Sequence, residues 1–183
     1  VKIRFLYFNW ALDFTRRDKI YRNYRHDGAY YCVSPWALTW DNENYYLIAY
    51  DPSAPEGSRI RNYRVDKMEN IQLTEEKREG AQHFRGSFSP AAYARKMFGM
   101  FSGHEEIVRL RCRKDAINIL RDRFGSELMV QPDDSTHFFA SVTVAVSPQF
   151  YAWVVGLNGA VRIVAPQHVC DGFRKLLLEQ LEE

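Results

Sequence analysis

Short apolar runs alternate with turn residues over the first part of the chain, up to about Lys77, a pattern typical of antiparallel β-structure. The runs are rich in aromatic and β-branched residues, and Asp27-Gly28 and residues 41–44 separate them at hairpin positions. Because several short strands cannot protect their edges in an open sheet, we expect them to close into a small barrel. The predicted strands are residues 2–10, 19–25, 30–40, 45–50, 59–65 and 68–73.

A charged, glycine-containing stretch at residues 74–86 follows the predicted barrel and changes the character of the chain. Ser89 is placed as an N-cap, Pro90 as the first helical residue and Gly99 beyond the last turn, which predicts a short connecting helix. We therefore predict a barrel domain at 1–80, a linker with a short helix at 81–103 and a second domain at 104–183.

After residue 103 the apolar spacing predicts strand, helix, strand, strand, helix, strand and a final helix. Ile117, Leu120 and Phe124 recur at helical spacing before Gly125, whereas apolar residues alternate along 138–146. The predicted strands of this part are residues 107–112, 127–130, 138–146 and 160–164. This order predicts a βαββαβ sandwich with an added C-terminal helix. The expected fold class is α+β.

Composition restricts the possible functions. The net charge of +2 comes from 25 basic and 23 acidic residues, so any nucleic-acid site has to be local. Three distant cysteines, an odd number, predict free thiols in a reducing cytosol, and neither a membrane span nor a signal peptide is expected. We expect a cytoplasmic protein whose natural start lies upstream of Val1.

The candidate chemistry centres on a basic segment in which Arg59, Arg61, Arg64 and Lys67 accompany a single acid, Asp66. Residues two apart in a strand share a face, so Arg59 and Arg61 are predicted to point one way and Arg64 and Asp66 the other. Guanidinium groups suit phosphate oxygens, and we expect Asp66 to pair with Arg64 or Lys67 and orient it.

Tyrosines on the preceding strand offer stacking faces for nucleobases. Tyr46 and Tyr50 share one face of this strand, and Tyr45 shares the other with Leu47. From residue types alone, however, the favoured interpretation is a solvated charged strand beside tyrosines that pack the barrel. A second basic strand, with Arg109, Arg111 and Arg113 on one face, is likewise interpreted as solvated rather than as a dimer contact.

Catalysis and metal binding find little support in the sequence. The five histidines are scattered, and neither a phosphate-binding glycine loop nor a Gly-x-Ser-x-Gly motif is present. We therefore predict no catalytic residues, no metal ligands and no cofactor.

Seven segments carry a resemblance to a known family. Three of them resemble the WYL domain, in which Tyr45 here stands in place of the usual tryptophan and Lys67 in place of the usual arginine: 33–40 (VSPWALTW), 45–51 (YYLIAYD) and 60–68 (IRNYRVDKM). Four later segments resemble the WCX extension of such proteins: 108–112 (VRLRC), 119–125 (ILRDRFG), 151–156 (YAWVVG) and 163–166 (IVAP).

This resemblance implies an Sm/SH3-like barrel followed by a ferredoxin-like domain, in the sensing and dimerisation part of a bacterial transcriptional regulator. It implies a short oligonucleotide or another phosphate-bearing effector, a homodimer, and operator DNA bound through an N-terminal helix-turn-helix domain that this chain lacks. Two alternatives remain open, an accessory protein that binds nucleic acid or modulates a defence nuclease, and a nucleotide-acting enzyme. The implied site consists first of Tyr46, Arg61, Arg64 and Lys67, then of Tyr45, Tyr50 and Tyr63, with Lys2 and Arg4 as weaker additions.

Overall fold

Antiparallel strands build the first part of the chain, as its alternating apolar residues predict. The computed structural model describes residues 1–17, 19–86, 88–101 and 103–182, and it divides the chain into two units, 1–90 and 91–183. Among the described residues, the strands of the first unit are β1 (Ile3–Leu12), β2 (Ile20–Tyr24), β3 (Tyr31–Asp41), β4 (Asn44–Tyr50), β5 (Ile60–Arg64) and β6 (Met68–Leu73).

These strands form one sheet in the order β2, β1, β3, β4 and β5, and β6 pairs with β1. β1 pairs with β3 and β6 through its first half and with β2 through its second half, with an irregularity in its pairing between Arg4 and Leu6. A 3₁₀ turn, Val65–Lys67, links β5 to β6 and returns the last strand to the first. The sheet thereby curls into a small, partly open barrel, which confirms the predicted barrel.

Aromatic side chains fill the barrel. Phe5 stacks on Tyr31 with ring centroids 5.6 Å apart and meets Tyr63 edge-on at 5.1 Å. Tyr7 meets Tyr63 edge-on at 5.4 Å, and Leu47 is buried in the same cluster. This core therefore encloses three phenol hydroxyls, and each needs a hydrogen-bonding partner.

Residues 74–84, which we call the strap, follow β6 and pack against the barrel. The Lys2 ammonium contacts Glu76 at 2.9 Å, and Trp36 Nε1 donates to the carbonyl of Glu79 at 3.0 Å. Gly80, at φ +80°, lies against Tyr50 so closely that a Cβ would stand 2.3 Å from the ring. The strap is thus part of the first unit rather than a free connection.

The second unit has the predicted order of strands and helices. A short helix, α1 (Pro90–Lys96), leads into it, and the four strands that follow form an antiparallel sheet in the order β10, β7, β9, β8. This order is that of a ferredoxin-like βαββαβ fold, so the predicted fold is confirmed. The remaining elements are β7 (His104–Arg113), α2 (Ile117–Phe124), β8 (Met129–Pro132), β9 (His137–Val146), α3 (Pro148–Gly156), β10 (Val161–Ala165) and α4 (Gln167–Glu179).

The core of the second unit is apolar, in contrast to the barrel. Val108, Leu110 and Cys112 alternate along β7 and are fully buried. Burial raises the pKa of the Cys112 thiol to about 12, so the thiol stays protonated. Cys32, Cys112 and Cys170 are all free thiols.

In the described part of the chain, no helix is long and apolar enough to cross a membrane. The assignment of 81–103 to a linker stays a prediction, because the division between the two units falls after Pro90.

Candidate ligand site on the barrel

The pairing of β4 with β5 places the predicted tyrosines beside the predicted arginines. Tyr46 lies opposite Arg64, and Ala49 lies opposite Arg61. Arg59 directly precedes β5, and its guanidinium donates to the Tyr50 hydroxyl at 3.2 Å. Adjacent strands of one sheet therefore carry the basic and the aromatic residues.

The two faces of β5 divide the site into two parts. Tyr63 packs into the barrel core, so Arg61, two residues earlier, shares this inner face, whereas Arg64 lies on the outer face beside Tyr46. Arg61 and Arg64 thus point in opposite directions, as predicted. We expected Asp66 to share a strand face with Arg64, but Asp66 lies outside the strand, because β5 ends at Arg64 and the 3₁₀ turn follows.

Arg64 is held by Asp66 across this turn. The guanidinium makes a two-pronged contact, with Nε 3.1 Å from Oδ1 and Nη2 2.8 Å from Oδ2 of Asp66. The Arg64 side chain lowers the pKa of the Asp66 carboxyl, so both groups remain charged at neutral pH. Asp66 therefore orients Arg64 and offsets part of its charge.

Arg61 and Lys67 remain available to an anion. Both side chains are half-buried, and neither has a carboxylate oxygen within 4.0 Å in the part of the chain that the structure describes. An unpaired, partly desolvated cation interacts with a phosphate oxygen more strongly than a solvated one. These two cations are consequently the strongest candidates for ligand contacts among the predicted residues.

Most of the predicted tyrosines do not offer open rings. Tyr46, Tyr50 and Tyr63 are 8%, 5% and 4% exposed, whereas Tyr45 is 58% exposed. The ring of Tyr45 meets Trp40 edge-on at 4.7 Å, and Trp40 is also 58% exposed. Among the predicted tyrosines, open ring surface is therefore found only at the tip of the β3–β4 hairpin.

Sequence reasoning missed Trp40, although a signal for it existed. The turn at Asn42 and Glu43 sets Trp40 directly opposite Tyr45, and the hairpin chemistry of residues 41–44 already predicted such a pairing. Trp40 and Tyr45 share the inner side of the sheet with Arg61 but lie at the far end of β4 from it. The aromatic pair and Arg61 thus form two separate contact points.

Tyr63 is tied to a buried carboxylate. Its hydroxyl donates to Asp51 Oδ2 at 2.9 Å, and Oδ1 of the same carboxylate accepts from the amide and hydroxyl of Ser53. Burial, followed by the negative charge of Asp51, raises the pKa of the Tyr63 phenol far above its ordinary value. Tyr63 therefore remains a neutral donor that fixes Asp51.

Lys2 and Arg4, the two weaker candidates, already have partners within the chain. Lys2 is buried between Glu76 and Glu79, whose hydrogen bonds raise the pKa of its ammonium. Arg4 Nε donates to Gln72 Oε1 at 2.8 Å, and its guanidinium lies over the ring of Tyr30. We therefore remove Lys2 from the candidate site and regard Arg4 as a part of the β1–β6 surface.

The second basic strand, β7, is largely neutralised. Arg111 contacts Asp133 at 2.6 Å and Asp134 at 2.8 Å, and Arg113 makes a two-pronged contact with Asp115. Arg109 lies over the ring of Phe139 at 4.0 Å.

Metal binding was not predicted, and the described residues contain no group of three or more His, Cys, Asp or Glu side chains that could hold a metal ion.

Comparison with protein families gives two adjacent matches. The WYL domain matches residues 2–73, and the WCX domain matches residues 104–181. None of the curated proteins compared with the chain matches it.

Two solved structures share only a distant likeness with this chain. The proteasome accessory factor B/C (PafBC) of Arthrobacter aurescens is 21% identical, with a TM-score of 0.38 over 94% of this chain and 23% of that one. A CRISPR Cas-related protein is 11% identical, with a TM-score of 0.48 over 98% of this chain and 46% of that one. This chain spans less than half the length of either protein.

The two domain matches follow each other in the order that the sequence motifs predicted and together cover most of the chain. The chain therefore belongs to the family of proteins that join a WYL domain to a WCX domain.

Proposed function

We propose that this chain is the effector-sensing part of a bacterial transcriptional regulator, acting in the cytoplasm, and that it is not an enzyme. Its barrel binds a short oligonucleotide or another phosphate-bearing effector. The WYL and WCX matches support a regulatory role. The observation that carries the choice of ligand is the pair of half-buried cations, Arg61 and Lys67, neither of which has a carboxylate oxygen within 4.0 Å in the described structure.

The barrel supplies different contacts for different parts of such a ligand. Arg61, Arg64 and Lys67 provide positive charge for phosphate oxygens, and Arg64 is already oriented by Asp66. Trp40 and Tyr45 provide exposed ring surface on which a base stacks. An oligonucleotide a few residues long spans both contact points, whereas a single nucleotide reaches only one.

Regulation requires that the effector favour one arrangement of two protomers over another. A ligand that binds both arrangements equally well shifts nothing, however tightly it binds. We propose that the WCX domain joins two copies of the chain. Effector binding would then alter how two helix-turn-helix domains, carried outside this chain, fit an operator.

Fluorescence anisotropy with labelled short single-stranded DNA and RNA, at two salt concentrations, tests this function. We expect salt-sensitive binding, because each phosphate contact to a single strand contributes about −0.7 to the slope of log affinity against log salt. The Arg61→Ala, Arg64→Ala double variant should bind at least tenfold more weakly.

The matched control is Arg111→Ala, Arg113→Ala, which removes two arginines from β7, where carboxylates already neutralise them. We expect this control to bind within twofold of wild type. Binding by the Arg61, Arg64 variant that equals wild type would overturn the proposed site. Failure of the wild type to bind either nucleic acid would overturn the oligonucleotide assignment.

A further inference from the structure

One hydroxyl in the barrel core makes no hydrogen bond within the part of the chain that the structure describes. Tyr31 is 6% exposed, and its hydroxyl oxygen makes no hydrogen bond to any described residue. Buried polar groups in proteins are nearly always hydrogen-bonded, because burial removes the water that would otherwise satisfy them. An unpartnered hydroxyl in a packed core therefore requires an explanation.

The neighbouring phenols show that Tyr31 is the exception. The hydroxyl of Tyr7 accepts a hydrogen bond from the amide of Arg64 at 3.1 Å, and that of Tyr63 donates to Asp51 at 2.9 Å. Tyr31 packs against both rings, with centroid distances of 6.0 Å and 5.5 Å. The same cluster thus satisfies two hydroxyls and leaves the third open.

Two cations lie close enough to Tyr31 to act on it. Arg61 shares the inner face of β5 with Tyr63 and lies opposite Ala49. The charges of Arg25 and Arg61 oppose the effect of burial, which raises the pKa of the Tyr31 phenol. Neither arginine has a carboxylate within 4.0 Å among the described residues.

Asp51, the acid whose charge acts on Tyr31, already has hydrogen-bonding partners. Asp51 is 4% exposed, and its two oxygens accept from the Tyr63 hydroxyl and from the amide and hydroxyl of Ser53. Its charge also acts on Tyr31, but its hydrogen-bonding positions serve other groups. A hydroxyl donor and two cations therefore remain for an external oxyanion.

A turn residue covers the ring of Tyr31. His26, in the 3₁₀ turn Arg25–Gly28, stacks on Tyr31 with centroids 4.2 Å apart and planes inclined by 17°. His26 itself is exposed, so its side chain can move aside without disturbing the packed core. The cover and one of the cations, Arg25, thus belong to the same turn.

We propose that Tyr31, Arg61 and Arg25 form a phosphate-binding subsite at this end of the barrel, with His26 as its cover. The proposal rests on the proposed function and deepens it, because it assigns residues that receive a phosphate of the effector. The Tyr31 hydroxyl donates to a phosphate oxygen, the two guanidinium groups balance its charge, and the His26 ring moves aside.

Tyr31→Phe tests the subsite, because it removes the hydroxyl and keeps the ring. Binding of adenosine 5′-monophosphate and of a five-nucleotide single-stranded DNA would be measured by calorimetry, together with the thermal midpoint of the free protein. We expect at least fivefold weaker binding of the probe that uses the subsite, with no drop in the midpoint. An effect on the monophosphate indicates a small phosphate monoester as ligand, and an effect on the DNA alone indicates a phosphodiester.

Tyr30→Phe is the matched control, because this neighbouring tyrosine is 43% exposed and lies outside the core cluster. Wild-type affinity of the Tyr31 variant for both probes would overturn the subsite. If the Arg61, Arg64 double variant then still lost DNA binding, the proposed function would stand without it. A wild-type protein that binds neither probe would overturn the subsite, whereas the anisotropy titrations with DNA and RNA decide the proposed function.

His26→Ala provides a readout of opposite sign, which a folding defect does not produce. Removal of the cover should tighten binding at least twofold, because the ligand no longer displaces a stacked ring. Weaker binding by this variant would overturn the role of His26 as a cover.

Discussion

β5 and β7 both carry arginines at intervals along the strand, but the two strands differ in how many of those arginines are paired with carboxylates. On β7, Arg111 and Arg113 are bound by carboxylates from adjacent turns. On β5, Arg64 has such a partner, whereas Arg61 has none in the described structure. The comparison teaches that a basic strand indicates a binding site only when the turns beside it supply too few acids.

The acids explain this difference. Asp133 and Asp134 lie in the turn before β9 and face Arg111, so this turn neutralises that arginine. Asp51 directly follows β4 and contacts Tyr63 on the strand that carries Arg61, but its oxygens accept from hydroxyl and amide donors. A carboxylate therefore counts against a binding site only if its oxygens are directed at the cation.

The largest effect is expected at Asp51. Asp51→Ala should lower the free energy of unfolding by about 2–4 kcal/mol, because it leaves the buried Tyr63 hydroxyl and the Ser53 groups without an acceptor. Urea denaturation measures this loss. Asp133→Ala, at a solvent-screened ion pair, is the control and should cost far less. Equal losses would break the distinction between the two kinds of acid.

Single arginine variants sharpen the comparison next. Arg61→Ala should weaken oligonucleotide binding about tenfold, equivalent to about 1.4 kcal/mol, because it removes an unpaired cation from the proposed site. Arg111→Ala should stay within twofold of wild type. Anisotropy titrations measure both affinities, and an equal loss at the two positions would indicate nonspecific attraction to total charge.

The same two variants should rank in the opposite order in stability. Arg111→Ala removes contacts to two aspartates and should lower the thermal midpoint slightly. Arg61→Ala removes a half-buried cation without an ion-pair partner and should leave the midpoint unchanged or raise it. Scanning calorimetry checks this order, and a clear destabilisation by Arg61→Ala would reveal a structural role for that charge.

The smallest effect concerns acid. Hydrogen bonds from the Thr136 amide and hydroxyl hold the pKa of the Asp134 carboxyl well below its ordinary value. Because the unfolded chain binds this proton more readily, Asp134 stabilises the fold above about pH 4, and the contribution disappears as pH falls below that. Asp134→Asn should flatten the loss of thermal midpoint between about pH 5 and 3, and an unchanged pH profile would contradict this assignment.

Alternation along the chain predicted most strands, because the buried face of a strand repeats every two residues. The predicted strand at 138–146 corresponds to His137–Val146. Where polar side chains break the alternation, the prediction fell short: β7 begins at His104 rather than Ile107, since the backbone of Glu105 and Glu106 still pairs with β9. β8 begins two residues later than the predicted strand, because all of its side chains are exposed and give no alternation to read.

The site was predictable in its residue types but not in its pairings. The segment from Arg59 to Lys67 lies beside the tyrosines of β4 as predicted, because consecutive antiparallel strands pair in register. Sequence spacing could not show that Tyr46 and Tyr50 are buried, or that the Tyr31 hydroxyl makes no hydrogen bond to any described residue. Both facts depend on packing between residues that are distant along the chain.

The strap sets the size of the smallest barrel fragment that should fold. The WYL match ends at residue 73, but Lys2, Ser34 and Tyr50 find partners or cover in the strap. A fragment cut at Leu73 would expose a buried ammonium and an aromatic ring. The segment that folds on its own is therefore longer than the segment that matches the WYL family. A barrel prepared in isolation should extend at least through Phe84.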